Sequence, residues 1–139
     1  MPNPACSKAT RPRTTTNFPA DTIGKDNKFY GYNTAIMMFI VNTKLLPLDK
    51  APKSWKDLAK PAYKGQIIWA HPSLSGSGAR QLAQMIQLHG WGHVAKVIGN
   101  SVVVPKSRLV FTNVAKGEGA IGMTEESKVY RMKGKGYPV

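Results

Sequence analysis

The chain has little cysteine, little acid and no long apolar run, and each shortage excludes something. Cys6 is the sole cysteine in 139 residues, so no internal disulfide can form and the redox compartment cannot be read. Acidic residues number 7 against 20 basic ones, and no two carboxylates fall at a spacing that suggests paired acid–base work. The longest apolar run, residues 35–41, is far too short to span a bilayer. The first residues contain no signal-peptide apolar core, so the chain as it stands is expected to be soluble and to carry no export signal. There is no Ser–His–Asp order and no GxSxG elbow. His89 and His93 are spaced as in zinc helices, but Gly90 and Gly92 lie between them and the Glu of HExxH is missing. No metal site, no cofactor and no enzymatic activity is expected.

Positive charge is abundant, with a formal net charge of +13 and a pI near 10.1. That balance invites a non-specific nucleic-acid reading. The placement argues against it, because Lys and Arg are scattered and no run of five or more occurs. The densest group, Lys128, Arg131, Lys133 and Lys135, falls toward the end of a predicted helix, where it favours the negative end of the dipole. The hydrophobic fraction is 42%, with three Trp, five Tyr and four Phe, enough for one globular domain with a real core. Residues 1–16 hold prolines and basic residues but few large apolar groups, and read as a loosely attached arm. The globular pattern begins at Asn17.

From there, strands and helices alternate. Residues 29–32 and 35–41 are predicted to be extended, the second as a strand buried on both faces. Ser54 caps a short helix over 55–60, with Asp57 in a capping-box position and Pro61 as its stop. Residues 66–70 form a strand ended by His71 and Pro72. A helix follows to about Leu88, with Ala79, Leu82, Ala83 and Ile86 as its buried stripe and Gly90 as its stop; a second helix covers 91–98. A strand over 102–104, a helix from Ser107 to Lys116 stopped by Gly117, a strand over 119–123 and a helix capped by Thr124 come next. Residues 137–139 read as the start of a further strand. The alternation predicts an α/β fold with a mostly parallel sheet flanked by helices.

In such sheets, ligands bind beyond the carboxyl ends of the strands. Three strand-to-helix junctions carry hydroxyls there: Ser75 and Ser77 in the loop with Gly76 and Gly78, Ser107, and Thr124 beside Glu125. Each hydroxyl is predicted at a helix N-cap. Helix-start N–H groups are unpaired and partly positive, so they suit a phosphate, phosphonate or carboxylate. The glycines would let a ligand approach the backbone. Glu125 either favours the dipole or accepts from a ligand hydroxyl or ammonium. His71, just before the serine loop, is a further candidate contact. The loop lacks the GK[ST] ending of a phosphate-binding Walker loop.

Pro52, Ser54, Trp55, Asp57 and Leu58, followed by Pro61, Tyr63, Lys64, Gly65 and Ile67, form a block that resembles a signature of the family 1 extracellular solute-binding proteins of ABC transporters, in the iron(III)- and phosphonate-type subgroup. Residues 31–42, 71–77, 117–122 and 136–139 resemble family segments in the same order. The resemblance covers residues 17–139. It implies one lobe, the second, of a type II periplasmic-binding-protein fold that closes on its ligand by hinge bending. It also implies a periplasmic protein working with a membrane transporter, although this chain shows no signal peptide. On this reading the chain is a truncated lobe with reduced or no transport activity, and its uncovered surface predicts a homodimer. Carried over by position, ligand contacts fall on Ser75, Gly76, Ser77, Thr124 and Glu125. Iron-binding members carry adjacent tyrosines where this chain reads Thr124-Glu125-Glu126-Ser127. The resemblance therefore disfavours iron(III) and leaves a small polar or anionic solute. Self-association and non-specific nucleic-acid binding are the alternative functions.

Overall fold

A computed structural model describes residues 22–24, 31 and 35–139. The chain divides into two compact units, Met1–Ala35 and Ile36–Val139. The arm over 1–16 and most of the extended segment predicted over 29–32 lie outside the described residues. Within the first unit, the Gly31 N–H donates to the Thr22 carbonyl at 2.8 Å.

The second unit is a three-layer α/β body. Its strands are β1 (Met37–Val41), β2 (Ile67–Ala70), β3 (Ser101–Val104) and β4 (Ile121–Glu125), and its helices are α1 (Gly76–Gly99), α2 (Ser107–Lys116) and α3 (Glu126–Gly134). The sheet order is β1-β4-β2-β3. β2 runs parallel to β3 and β4, whereas β1 runs antiparallel to β4 with Phe39 opposite Met123. No helix among the described residues is long and apolar enough to cross a membrane.

Alternation along the strands feeds two cores. Ile67, Trp69, Ile121 and Met123 face Met85, Val94 and Val97 of α1, together with Leu58 and Tyr63. Ile40, Ile68 and Ala70 face Val110, Phe111, Val114 and Ala115 of α2 and Met132 of α3. Burial on both faces explains why β2 reads as an unbroken apolar run. Gly122 is required by the close approach of α2: a Cβ there would lie 2.8 Å from Val110 Cγ1 and 2.9 Å from Ile40 Cγ2.

Several expectations need correction. β1 is not buried on both faces along its length but lies at one edge of the described sheet, with β3 at the other; only Ile40 is fully buried, and Ile36 just before the strand is 64% exposed. Its run stays apolar because Phe39 and Val41 pack on one core while Ile40 packs on the other. The buried face of α1 is rotated from the predicted stripe. Gly78, Gln81 and Met85 are buried, whereas Ala79 and Ala83 are exposed. A polar residue can hold the middle of that face because Gln81 Nε2 donates to the Met123 carbonyl at 3.1 Å. Gly90, at φ 75° and ψ 169°, breaks α1 into the two predicted helices. Residues 137–139 form no strand; Gly136 turns the chain at φ 80°, and the Pro138 carbonyl accepts from the Thr43 N–H at 2.8 Å.

The block over 52–67 proves structural. The segment Trp55–Ala59 is a 3-10 helix rather than an α-helix, followed by a second such turn, Pro61–Tyr63. Trp55 meets Phe39 edge-on at 5.0 Å between ring centroids, and Leu58 is fully buried. Asp57 Oδ2 accepts from the Ser54 N–H at 2.9 Å and from the Lys53 N–H at 3.0 Å. Asn100 Nδ2 ties this segment to the end of α1 by donating to the carbonyls of Leu58 and Lys60, both at 2.9 Å.

Two groups here make stability depend on pH. The Lys60 ammonium, and then the Ser54 hydroxyl, hold the Asp57 carboxyl at about 2, below its ordinary 3.8. Burial, and then the neighbouring His89, lower the pKa of His93 from 6.5, against the pull of the Trp55 carbonyl 3.2 Å from its Nε2. Both folded values lie below the unfolded ones, so each contribution is complete above the unfolded value and is lost as pH falls through the folded one. The urea midpoint is therefore expected to drop in two small steps, one beginning below pH 6.5 and one between about pH 4 and 2. His93→Gln should remove the first step and Asp57→Asn the second. Unchanged steps in these variants would refute the assignment.

Candidate functional site

The parallel strands β2 and β4, with β3, deliver three helix starts to one edge of the sheet. After β2, Ser75 adopts extended φ/ψ (−141°, 120°) and its Oγ accepts from the Gly78 N–H at 3.3 Å, capping α1. The Ser75 and Ser77 hydroxyl oxygens lie 3.1 Å apart and share a hydrogen bond. Gly76 has open space around it, whereas a Cβ on Gly78 would collide with the carbonyls of Ala70 and His71. Of the two glycines, only Gly76 leaves backbone accessible; Gly78 is there to let α1 sit against the end of β2.

The other two junctions depart from the predicted caps. Lys106 is the N-cap of α2, and Ser107 is its first residue. Thr124 lies inside β4, 5% exposed, and Glu125 is the N-cap of α3 without a side-chain capping bond. Pairing with Met38 of β1 carries β4 past Met123 through Thr124 and Glu125. The two hydroxyls are thus released from capping.

Ser77, Ser107, Thr124 and Glu125 then meet around a small, partly open pocket of about 30 Å³, with Phe111 and Lys128 completing its lining. Ser75 reaches this lining only through Ser77, and Gly76 lies outside it. His71 does not join. Its N–H donates to the Val104 carbonyl at 2.7 Å and its Nδ1 accepts from the Ser73 N–H at 3.2 Å, so it serves the turn.

Lys128 was missed as a site residue. It stands in the first turn of α3, not at its end, where the dipole opposes it. Glu125 offsets this, with its Oε2 3.8 Å from Lys128 Nζ. Glu125 Oε1 lies 3.4 Å from Arg80 Nη2 of α1. The i, i+3 spacing of Glu125 and Lys128 was the available signal; Arg80 is 45 positions away from Glu125 and gave none. Phe111, 3% exposed, also lines the pocket and lies 5.0 Å beneath the Arg131 guanidinium. Two cations, one carboxylate and three helix starts leave a positive surplus at the pocket. Hydroxyls and N–H donors of this kind can hold an anion. Among the described residues no group of three or more His, Cys, Asp or Glu is placed to bind a metal ion.

Comparison with known proteins agrees with this architecture. The periplasmic binding protein AfuA of Actinobacillus pleuropneumoniae, with fructose 6-phosphate bound, is 28% identical with a TM-score of 0.68, over 75% of this chain and 35% of that one. Iron-bound HitA of Pseudomonas aeruginosa shares the fold at a TM-score of 0.79 and 20% identity, over 92% of this chain and 42% of that one. An uncharacterized protein of Haemophilus influenzae is 33% identical over 96 residues, 63% of this chain and 28% of its own length. The chain thus spans less than half the length of each of these relatives. The family model described as bacterial extracellular solute-binding protein matches residues 6–115. With most of its length matched and its fold shared, the chain belongs to the bacterial extracellular solute-binding proteins.

Proposed function

We propose that the chain supplies one wall of the ligand site of an ABC-transporter solute-binding protein for a small anionic solute bearing a phosphate or carboxylate, working outside the cytoplasmic membrane. The observation that carries this reading is the pocket at the carboxyl end of the sheet, where Ser77, Ser107, Thr124 and Lys128 converge. Hydroxyl and ammonium donors at helix starts complement anionic oxygens. The sugar phosphate bound by AfuA favours a phosphate among the anions. Iron(III) is the poorer candidate, because the lining offers it a single carboxylate and no Tyr, His or Cys, and sets a lysine beside that carboxylate.

At about 30 Å³ and partly open to solvent, the pocket is far smaller than the ~300–1,000 Å³ that usually surrounds a ligand. The reading is therefore of a single wall with modest affinity, with dissociation constants of roughly 0.1–10 mM. An NMR titration of the labelled full chain tests it. Fructose 6-phosphate and inorganic phosphate should shift the amides of residues 75–78, 107–108 and 124–128 saturably, and added salt should weaken both. Binding of a neutral sugar or a polyamine at these amides, with no response to either phosphate, would sink the reading.

A further inference from the structure

The pocket has a feature that anion binding alone does not ask for: a carboxylate in its lining. Glu125 is 26% exposed at its side chain, and its two oxygens face different cations, Arg80 at 3.4 Å and Lys128 at 3.8 Å. Neither contact is short enough to be a strong charge-assisted hydrogen bond, for which ~2.7–2.9 Å is usual. Glu125 caps no backbone N–H of α3, so helix capping does not account for it. The carboxylate therefore keeps acceptor capacity at the pocket wall, beside donors contributed by Ser77, Ser107, Thr124 and Lys128.

A bare inorganic anion meets this arrangement badly. Sulfate is fully ionised at neutral pH and all its oxygens are acceptors, so Glu125 can only repel it and compete with it for Lys128, whereas inorganic phosphate keeps a P–OH that can donate to Glu125. A solute with an anionic group and a neighbouring hydroxyl or ammonium meets it well: the anion takes the donors, and the hydroxyl or ammonium donates to Glu125. We infer that Glu125 is a specificity-determining residue that selects anions carrying an adjacent hydrogen-bond donor over bare inorganic anions. The inference rests on the anion-site reading above and narrows the solute to a hydroxylated or amino-substituted monophosphate or carboxylate. Such selection by an unpaired or like-charged group against the wrong ligand is a general route to specificity.

The test compares sulfate with glycerol 3-phosphate by NMR titration of the full wild-type chain and of Glu125→Gln. Wild type is expected to prefer glycerol 3-phosphate by about tenfold. In Glu125→Gln, sulfate should bind about tenfold tighter as the like charge disappears. Glycerol 3-phosphate should change less than about threefold, because relief of repulsion offsets the weakened bond to its hydroxyl, and so the preference collapses. A purely structural or bulk-charge role would move both ligands by the same factor, and that result overturns the inference while leaving the anion site standing. Absence of binding of either anion to both proteins would overturn the anion-site reading and this inference with it. An unfolded variant is excluded by its amide spectrum, and Glu125→Ala, which should likewise abolish the preference, checks that glutamine itself is not responsible.

Discussion

Replacing Gly78 with alanine is expected to destabilise the fold by about 2–3 kcal/mol, although helix propensity alone predicts a gain of about 1 kcal/mol. Gly78 lies in the first turn of α1, in ordinary helical conformation and fully buried. A Cβ would run into the Ala70 carbonyl and come within 3.2 Å of the His71 carbonyl oxygen. Both obstacles are backbone, held by the parallel ladder between β2 and β3 and by the His71-to-Val104 hydrogen bond. Neither can rotate aside as a side chain would, so α1 must lift or β2 must bend. Gly76, two residues earlier with nothing within 4 Å of its Cβ position, is the internal control: Gly76→Ala should leave stability within about 0.5 kcal/mol of wild type. Urea unfolding of the two variants measures the contrast. Equal stability would mean that α1 does not approach β2 as closely as described. Because Ser77 lies between these glycines, Gly78→Ala should also weaken solute binding, whereas Gly76→Ala should disturb it far less.

Loss of the Lys128 ammonium is expected to weaken binding of a phosphate-bearing solute by ten- to a hundredfold. Hydrogen bonds to charged groups contribute about 1.5–3 kcal/mol, and each 1.4 kcal/mol is about tenfold in affinity. The variant Lys128→Ala also leaves Glu125 with Arg80 alone, at 3.4 Å, so the carboxylate repels an incoming anion more strongly. Stability should barely change, because exposed ion pairs contribute only about 0–1 kcal/mol and the Lys128 side chain is 37% exposed. Removing a cation from the first turn of α3 even relieves an unfavourable dipole contact. Lys133→Ala, in the last turn of the same helix, removes an equal charge away from the pocket and should leave binding unchanged at physiological salt. Comparable losses in the two variants would reduce the role of Lys128 to bulk charge.

Much of the architecture is legible in the linear chain because the signals are local. Gly117 stops α2 in the left-handed region at φ 87°, and Gly90 breaks α1 where the sequence says it should. Ser54 and Asp57 bond to each other across three residues. Residues 110 and 114, and 111 and 115, are i, i+4 pairs of apolar residues in α2, and all four are buried. Such features depend on φ/ψ preference and 3.6-residue periodicity, which the chain carries without help from its neighbours. The family block is legible for the same reason, but what it encodes is packing. Trp55, Leu58 and Tyr63 cover one core, and none of them lines the pocket.

Where local rules fail, a distant partner decides. The α1 stripe is rotated because the Met123 carbonyl, 42 positions away, offers Gln81 a buried hydrogen bond. β1 is antiparallel and lies at a sheet edge with only Ile40 fully buried, which an apolar run cannot reveal, since the run carries no information on strand order or direction. Ser107 and Thr124 read as caps, because a hydroxyl at a junction is most simply a cap. The pairing of Thr124 with Met38 keeps it in β4 instead.

The sequence by itself thus determined the α/β alternation, the helix stops and the three hydroxyl-bearing junctions, through short-range conformational preference. Only the tertiary structure decided that Ser77, Ser107, Thr124 and Glu125 share one pocket, that Lys128 and Phe111 join them, and that His71 does not. The convergence of three separate strand ends, and the seating of Glu125 between Arg80 and Lys128, depend on sheet order and helix placement, which are long-range properties of the packed chain.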